Sequence, residues 1–514
     1  MSRIRKNILA NFFGRGWAVI SAVAFLPLYV SLLGVEAYGL VGVFTSLQVM
    51  LAVTDMGLSA TLTREVARLS SVEDSASDIR DTVRTMEVWY FGVAALIIGL
   101  VMVLAPLIAN HWVKAQAISA GAIETALRLM GLAFALQAAF TFYQGALVGL
   151  QQQVYLNGIY VTMGLFRALG TIATLALLSS TIEMFALWQV VSNVLQLIWI
   201  RTAVWRVLPA STARSRYRPA ILRHLWRYSA SMLGMTVTSS ILLQTDKVIL
   251  SRMLPLDTFG YYTLAWTVAQ TPISALSSPV YQAVFPRLTQ HVARGDTLEL
   301  SSFYHRASQT VAVLVLPFAA FICLFSRECL LLWLGNSVTA ANTYPLVRLL
   351  VVATGFTGVL VLPYALTLAH GWASLSLKTN VVNVVLMIPL LIALTHYFGP
   401  PGACGSLVVL NAMYLTVFVS ILHRYTLVGE QLRWYLRDLG LPLAAAATPL
   451  ALFRQVFPAA LSRPVLFLAL GAVWVLATLS AVAAAPDVRR AALGVLRADW
   501  RQAIRSLTPR ERQG

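Results

Sequence analysis

Runs of about twenty predominantly apolar residues recur along the chain, and each is long enough to cross the hydrocarbon core of a bilayer. Fourteen such segments are found, at 8–33, 39–62, 87–110, 122–150, 156–180, 183–205, 228–253, 259–285, 309–334, 344–369, 379–398, 404–424, 439–460 and 463–485. In lipid every backbone N–H and C=O must find a partner within the protein, and a helix does this inside one segment. The pattern therefore predicts an all-α polytopic membrane protein of about 14 transmembrane helices. The composition agrees: 58% of the residues are hydrophobic, 11% are charged and mean hydropathy is +0.74. A soluble core has no use for that much apolar surface. The last two segments have a second reading, as a hydrophobic hairpin added to twelve spans. The basic and then apolar N-terminus is too long for the core of a signal peptide, so it reads as a retained first helix.

Positive charge orients the helices. The net charge of +18 is concentrated in alternate connections, with Arg3, Arg5, Lys6, Arg64, Arg68, Arg80 and Arg84 on one side. The 201–227 connection, Arg287, Arg294, Arg306, Lys378 and the tail lie on the same side. Lys114, Arg252, Arg454 and Arg463 fall on the other. By the positive-inside rule both termini are expected in the cytoplasm. The charge is then a feature of topology, and no nucleic-acid partner is implied. The tail after Pro486 is basic and amphipathic, suited to an anionic inner leaflet or, alternatively, to a protein partner.

A turn repeats. "LGVEAYGLVGV" (33–43) aligns with "LPLDTFGYYTL" (254–264), placing Glu36 on Asp257, Tyr38 on Phe259 and Gly39 on Gly260 at an offset of 221 residues. That offset holds six helices, an even number, so the two halves are expected as parallel repeats with a substrate path between them. The expected organisation is a six-helix lobe at 1–206, a basic linker at 207–227, a second six-helix lobe at 228–425, an extra helix pair at 426–485 and a cytoplasmic tail at 486–514. Glu36 and Asp257 read as structural acids at the positive ends of their helices.

Charges inside spans are costly and point to function. Arg167 lies about 15 Å along its helix, near the midplane, where it lines a polar cavity or joins a structural pair. Arg15, between Gly14 and Gly16, faces the cavity or snorkels to the inner surface. Asp55 caps a bent segment or faces the cavity, with Arg64 following at the membrane surface. Asp246 and Lys247 are neighbours whose side chains leave a helix about 100° apart, so separate partners are expected for them. Arg15, Arg167 and Lys247 are the deep cations suited to an anionic head group, and Asp246 joins them as a candidate. Gln144 and Gln244, with Tyr143 and Tyr261, could contact sugar.

The chain lacks a phosphate loop, zinc-protease and nucleophile-elbow motifs, and its three cysteines have no metal spacing. No catalytic residue, metal site or cofactor is expected. Outer loops are short, which disfavours a membrane glycosyltransferase or polymerase.

Five stretches together resemble the Wzx-type polysaccharide flippases of the multidrug/oligosaccharidyl-lipid/polysaccharide exporter superfamily: "LLGVEAYGL", "TDMGLSATLTREVARL", "YQGALVGLQQQVYLN", "QTDKVILSRMLPLDTFGYYTLA" and "VFPRL". The resemblance covers 1–424 in order. It implies two six-helix lobes forming a V-shaped transporter, alternating access, and a polyprenyl-diphosphate-linked glycan moved to the outer leaflet of a bacterial inner membrane. By position, Arg15 and the Asp246–Lys247 pair would line the cavity. A polysaccharide polymerase or export complex would be a partner. A cation-coupled drug exporter and a lipid II flippase remain alternatives within the superfamily.

Overall fold

The computed structural model describes residues 16–17, 21, 23–51, 57–72, 74–211, 214–223, 244–457, 462–491 and 493–494. Among these residues there is no strand, and nine helices are long and apolar enough to cross a membrane, or ten if one bent pair is a single span. Most of the expected spans from 87 onward have a helical counterpart, whereas those at 8–33 and 228–253 lie largely outside the described residues. Two compact units are present, residues 1–264 and 265–514.

In the first unit, α1 (Leu26–Leu33) and α2 (Val35–Leu51) meet at Gly34, where φ is +84° and the chain turns by 120°. The second helix therefore starts at Val35, four residues before the apolar run suggests. There follow the amphipathic α3 (Leu58–Leu69), then α4 (Ala76–Leu107) with a π-helical end at Ile108–Trp112, α5 (Ala120–Gly149), α6 (Gln153–Leu177) and α7 (Ile182–Val207). Helix α8 covers 244–253, and α9 (Leu256–Arg294), the counterpart of α2 at an offset of 221 residues, runs across the boundary between the units. Helix α4 starts at Ala76, well ahead of the apolar run at 87, because its first turns are polar and hold the basic connection described below.

The second unit continues with α10 (Thr297–Leu334), α11 (Ser337–Ala369), α12 (Ala373–Met413) with α13 (Val419–Tyr425), α14 (Gln431–Gln455) and α15 (Arg463–Ala484). Gly399, at φ +63° and followed by Pro400 and Pro401, breaks α12. Proline cannot donate a helical hydrogen bond and left-handed backbone suits glycine, so the helix is broken between the segments read as two spans, 379–398 and 404–424. Helices α14 and α15 pack on each other and on α10.

The repeat read from sequence has a structural counterpart. Val35 and Leu256 open one pair of corresponding helices, and Ala76 and Thr297 another, each offset by 221 residues. The two repeated turns also touch. A Cβ on Gly39 would lie 2.3 Å from the Leu256 carbonyl oxygen, and a Cβ on Gly260 would lie 2.2 Å from that of Val35. The contact is reciprocal: each glycine admits the backbone that opens the other helix. Glu36 sits in the first turn of α2, as expected, but its main partners are outside the helix. Its carboxylate accepts from the backbone N–H groups of Gln116 (2.6 Å) and Ala117 (2.9 Å), fixing the α4–α5 connection. Asp257 instead caps locally, accepting from the Thr258 N–H at 2.6 Å.

Replacing Gly260 by Ala puts a methyl against a carbonyl that cannot yield without moving a helix. A loss of about 1–3 kcal/mol is expected, as for other overpacked sites. Thermal unfolding in detergent measures it, and an unchanged transition would show that the helix contact is looser than described.

Candidate functional site: a deep arginine held by amides

Arg167 lies in the middle of α6, and its guanidinium reaches α7. One terminal nitrogen, Nη2, donates to the Asn193 Oδ1 at 2.6 Å and also to the Gln196 Oε1. Asn193 is itself fixed, because its Nδ2 donates to the Ala133 carbonyl of α5 at 3.0 Å, which leaves its oxygen facing the arginine. The backbone carbonyl of Arg167 accepts from the Trp188 indole at 3.1 Å. Arg167, Asn193 and Gln196 are partly or fully buried, and the Arg167 Nε is buried without a partner. Among the described residues Arg167 has no salt bridge. Neutral amides orient the guanidinium without cancelling its charge, so its attraction for an anion is kept in a place of low dielectric.

Asp246, Lys247 and Tyr262 form a second cluster. Asp246 is buried and accepts from the Tyr262 hydroxyl at 2.7 Å. Separate partners were expected for the two charges, and for Lys247 the structure corrects this: its Nζ lies 3.4 Å from both oxygens of Asp246. The Cα–Cβ directions diverge, but four methylenes let the ammonium fold back. Gln144 is engaged, its Oε1 accepting from the Tyr160 hydroxyl at 2.6 Å, whereas the Oε1 of Gln244 is buried without a partner. Arg64 is on the exposed face of α3. Arg15 and Asp55 lie outside the described residues.

Two further charge clusters were not anticipated. In the first unit Glu87 is 1% exposed and takes hydrogen bonds from Arg84 (2.5 Å), Arg201 (2.8 Å) and the Tyr143 hydroxyl. Six residues earlier on the same helix, buried Asp81 pairs with Arg218 at 2.8 Å and accepts from the Arg216 N–H at 2.7 Å. Asp81 thus ties the basic connection to α4 through Arg216 and Arg218, whereas Glu87 ties α4 to α5 and α7. The available signal was a pair of acids spaced six apart beside the apolar run of α4.

In the second unit fully buried His305 on α10 faces two carboxylates. Its Nδ1 contacts Asp438 and its Nε2 lies 3.2 Å from Glu430, an ion-pair distance without hydrogen-bond alignment. Gln309 donates to Asp438 at 2.9 Å and accepts from the Asp487 N–H at 2.9 Å, so this knot holds both ends of the α14–α15 pair to α10. Nothing in the local sequence links positions so far apart. Burial, the largest influence on Glu430, would raise its carboxyl, but the hydrogen bond from Arg433 and the charge of His305 outweigh it and hold it below 4.5.

The sequence profile of a family described as "Polysaccharide biosynthesis protein" matches residues 30–342, more than half of the chain. The chain belongs to the polysaccharide biosynthesis protein family. Curated relatives of the family member include the putative O-antigen transporter of Shigella flexneri, 20% identical over 415 residues, which cover 80% of this chain and 96% of that one. The probable low-salt glycan biosynthesis flippase Agl15 of Haloferax volcanii is 27% identical over 239 residues, 44% of this chain and 49% of that protein. The match thus spans about half the length of Agl15. The lipopolysaccharide biosynthesis protein WzxC of Escherichia coli K12 is 22% identical over 54% of this chain and 57% of its own. Among solved structures, the lipid II flippase MurJ in an inward closed conformation has a TM-score of 0.71 at 12% identity, covering 92% of this chain and 97% of that one. An inward-facing multidrug transporter of the MATE family, in the MOP superfamily, has a TM-score of 0.64 at 14% identity, covering 79% and 96%. At such identities the likeness is one of fold: this family member is a multi-pass membrane protein with the helical transporter fold of MurJ and MATE.

Two outcomes test the described geometry. Asn193→Ala removes the partner of the Ala133 carbonyl and one of the two acceptors of Arg167, and is expected to cost about 1–3 kcal/mol in unfolding experiments. Glu430 has a lowered folded-state value, so its stabilisation is present above the unfolded value and lost as pH falls through the folded one. Wild type should therefore exceed Glu430→Gln in thermal stability at neutral pH, with the gap closing only below pH 4.5. A gap already closed at pH 6 would rule out the Glu430 contribution.

Proposed function

We propose that the protein is a flippase for a lipid-linked oligosaccharide. It would carry a polyprenyl-diphosphate-linked glycan, an O-antigen, capsule or exopolysaccharide repeat unit, from the inner to the outer leaflet by alternating access. The observation that carries this reading is the amide-held guanidinium of Arg167, charged and without a carboxylate partner among the described residues, in the middle of a membrane span. A diphosphate is the anion such a group suits, and charge-assisted contacts to it are strong. Family membership and relatives named as O-antigen transporter and glycan flippase support the same substrate class. The lipid tails can stay in the bilayer, so only the head group has to cross. In this reading no bond is made or broken, and the polar residues bind the cargo without catalysing a reaction. The secondary candidates Gln144 and Gln244 would meet sugar, and Arg15, Lys247 and Asp246 would meet the charged head.

The reading also places the protein in the cytoplasmic membrane of a bacterium, with fourteen spans and both termini inside, on the strength of the lysine and arginine asymmetry. Two six-helix lobes at 1–206 and 228–425 would alternate about the substrate, with the helix pair at 426–485 added and the basic tail at 486–514 on the anionic inner leaflet. The flipped unit would pass to a polymerase or export complex.

Reconstitution in liposomes with a fluorescent polyprenyl-diphosphate glycan tests the function. Protein-dependent outward movement is expected, and Arg167→Ala should slow it about tenfold or more, the scale of one lost charged hydrogen bond. Polymerised sugar without protein-dependent movement would replace the flippase reading by an enzymatic one. Full activity of Arg167→Ala would remove the arginine from the mechanism.

A further inference from the structure

The end of α4 carries a cavity that the flippase reading does not use. It has a volume of about 520 Å3 and lies between α2, the π-helical end of α4 and α8, all in the first unit. Its walls are hydrocarbon, from Val43, Leu47, Leu104 and Leu107 among others, and its rim carries His111 and Arg252. The volume lies within the range of ligand pockets, about 300–1,000 Å3.

The rim is braced. The Arg252 guanidinium lies over the Trp112 ring at 5.7 Å, and the Trp112 indole donates to the Ser251 Oγ at 3.0 Å. Lys114 donates from Nζ to the Met253 carbonyl at 3.2 Å, and the Leu256 N–H donates to the Lys114 carbonyl at 2.9 Å. The α4–α5 connection is thus cross-linked to the α8–α9 turn, and the Arg252 guanidinium is presented on a fixed edge. Arg252 is exposed and makes no salt bridge among the described residues. Stacking on an aromatic face orients a guanidinium while leaving its N–H fork available for a bidentate anion.

A ligand matching both parts needs a hydrocarbon segment for the walls and an anionic, multiply accepting group for the rim. A soluble phosphate would leave the walls unmatched, and an uncharged lipid would leave Arg252 unmatched. We propose that this cavity binds a phosphate-bearing polyprenyl lipid, its chain between α2, α4 and α8 and its phosphate at Arg252 and His111. The choice of a polyprenyl chain rests on the flippase reading. On the topology proposed above the site faces the outer leaflet, so it would receive the carrier after its head group has crossed.

Photo-labelling of the purified full-length protein with a diazirine-tagged polyprenyl phosphate tests the site. The label is expected on α4 and α8. Arg252→Gln should lower it at least fivefold and Arg252→Lys restore most of it. Val43→Phe, which fills the cavity, should lower it as well, and the phosphate-free polyprenol should label weakly. Unchanged labelling of Arg252→Gln overturns the proposal, as does competition by phosphatidylglycerol equal to that of unlabelled polyprenyl phosphate, which would mark an ordinary lipid site. If Val43→Phe does not fold, the two Arg252 variants decide alone. The liposome assay reads the flippase proposal independently: labelling without flipping sinks that reading and leaves a lipid site, while flipping without labelling sinks this one.

Discussion

The reciprocal contact between Gly39 and Gly260 sets the arrangement of the first unit. Each glycine accepts the backbone carbonyl that opens the opposite helix, closer than any side chain would allow. Within a bilayer there is little hydrophobic drive between helices, because lipid is as apolar as leucine, so close backbone packing has to supply association. The same contact holds the start of α9 in the first unit and brings the α8–α9 turn against the α4–α5 connection. Glu36, Lys114 and Trp112 then fix that corner with hydrogen bonds.

Charge in this protein is handled in two ways. Acids buried near helix ends are surrounded by donors: Glu87 by two arginines and a tyrosine, Asp81 by Arg218 and a backbone N–H, Asp438 by His305 and Gln309. Such acids would be strongly unfavourable alone, and their partners tie connections and added helices to the bundle. Arg167 is treated differently. Its neighbours are amides, which satisfy hydrogen bonds but leave net charge, the charge that the proposed anionic head group would meet.

The candidate site was half legible in the sequence. Arg167 stood out because a charge in the middle of an apolar run has few inexpensive explanations. Its holders, Asn193 and Gln196, did not stand out, since amides are ordinary in any helix and only the facing of α6 and α7 gives them meaning. Lys247 and Asp246 were visible as charges, but helix geometry misjudged them: angular separation at Cα does not limit a long flexible side chain. The knot at His305, Glu430 and Asp438 was invisible, because its members are far apart in the chain and each sits near a membrane boundary where polar residues are commonplace.

The sequence by itself determined the helical class, the approximate spans, the membrane setting and the repeat, because hydrocarbon imposes length and backbone satisfaction on each segment separately. Those are local requirements, readable one segment at a time. Tertiary structure alone decided which charges are neutralised and which are kept, where α4 ends its apolar run and begins to hold the basic connection, and how Gly39 finds Gly260. These outcomes depend on which helix faces meet, and a pairwise contact in three dimensions leaves no period or spacing in the chain.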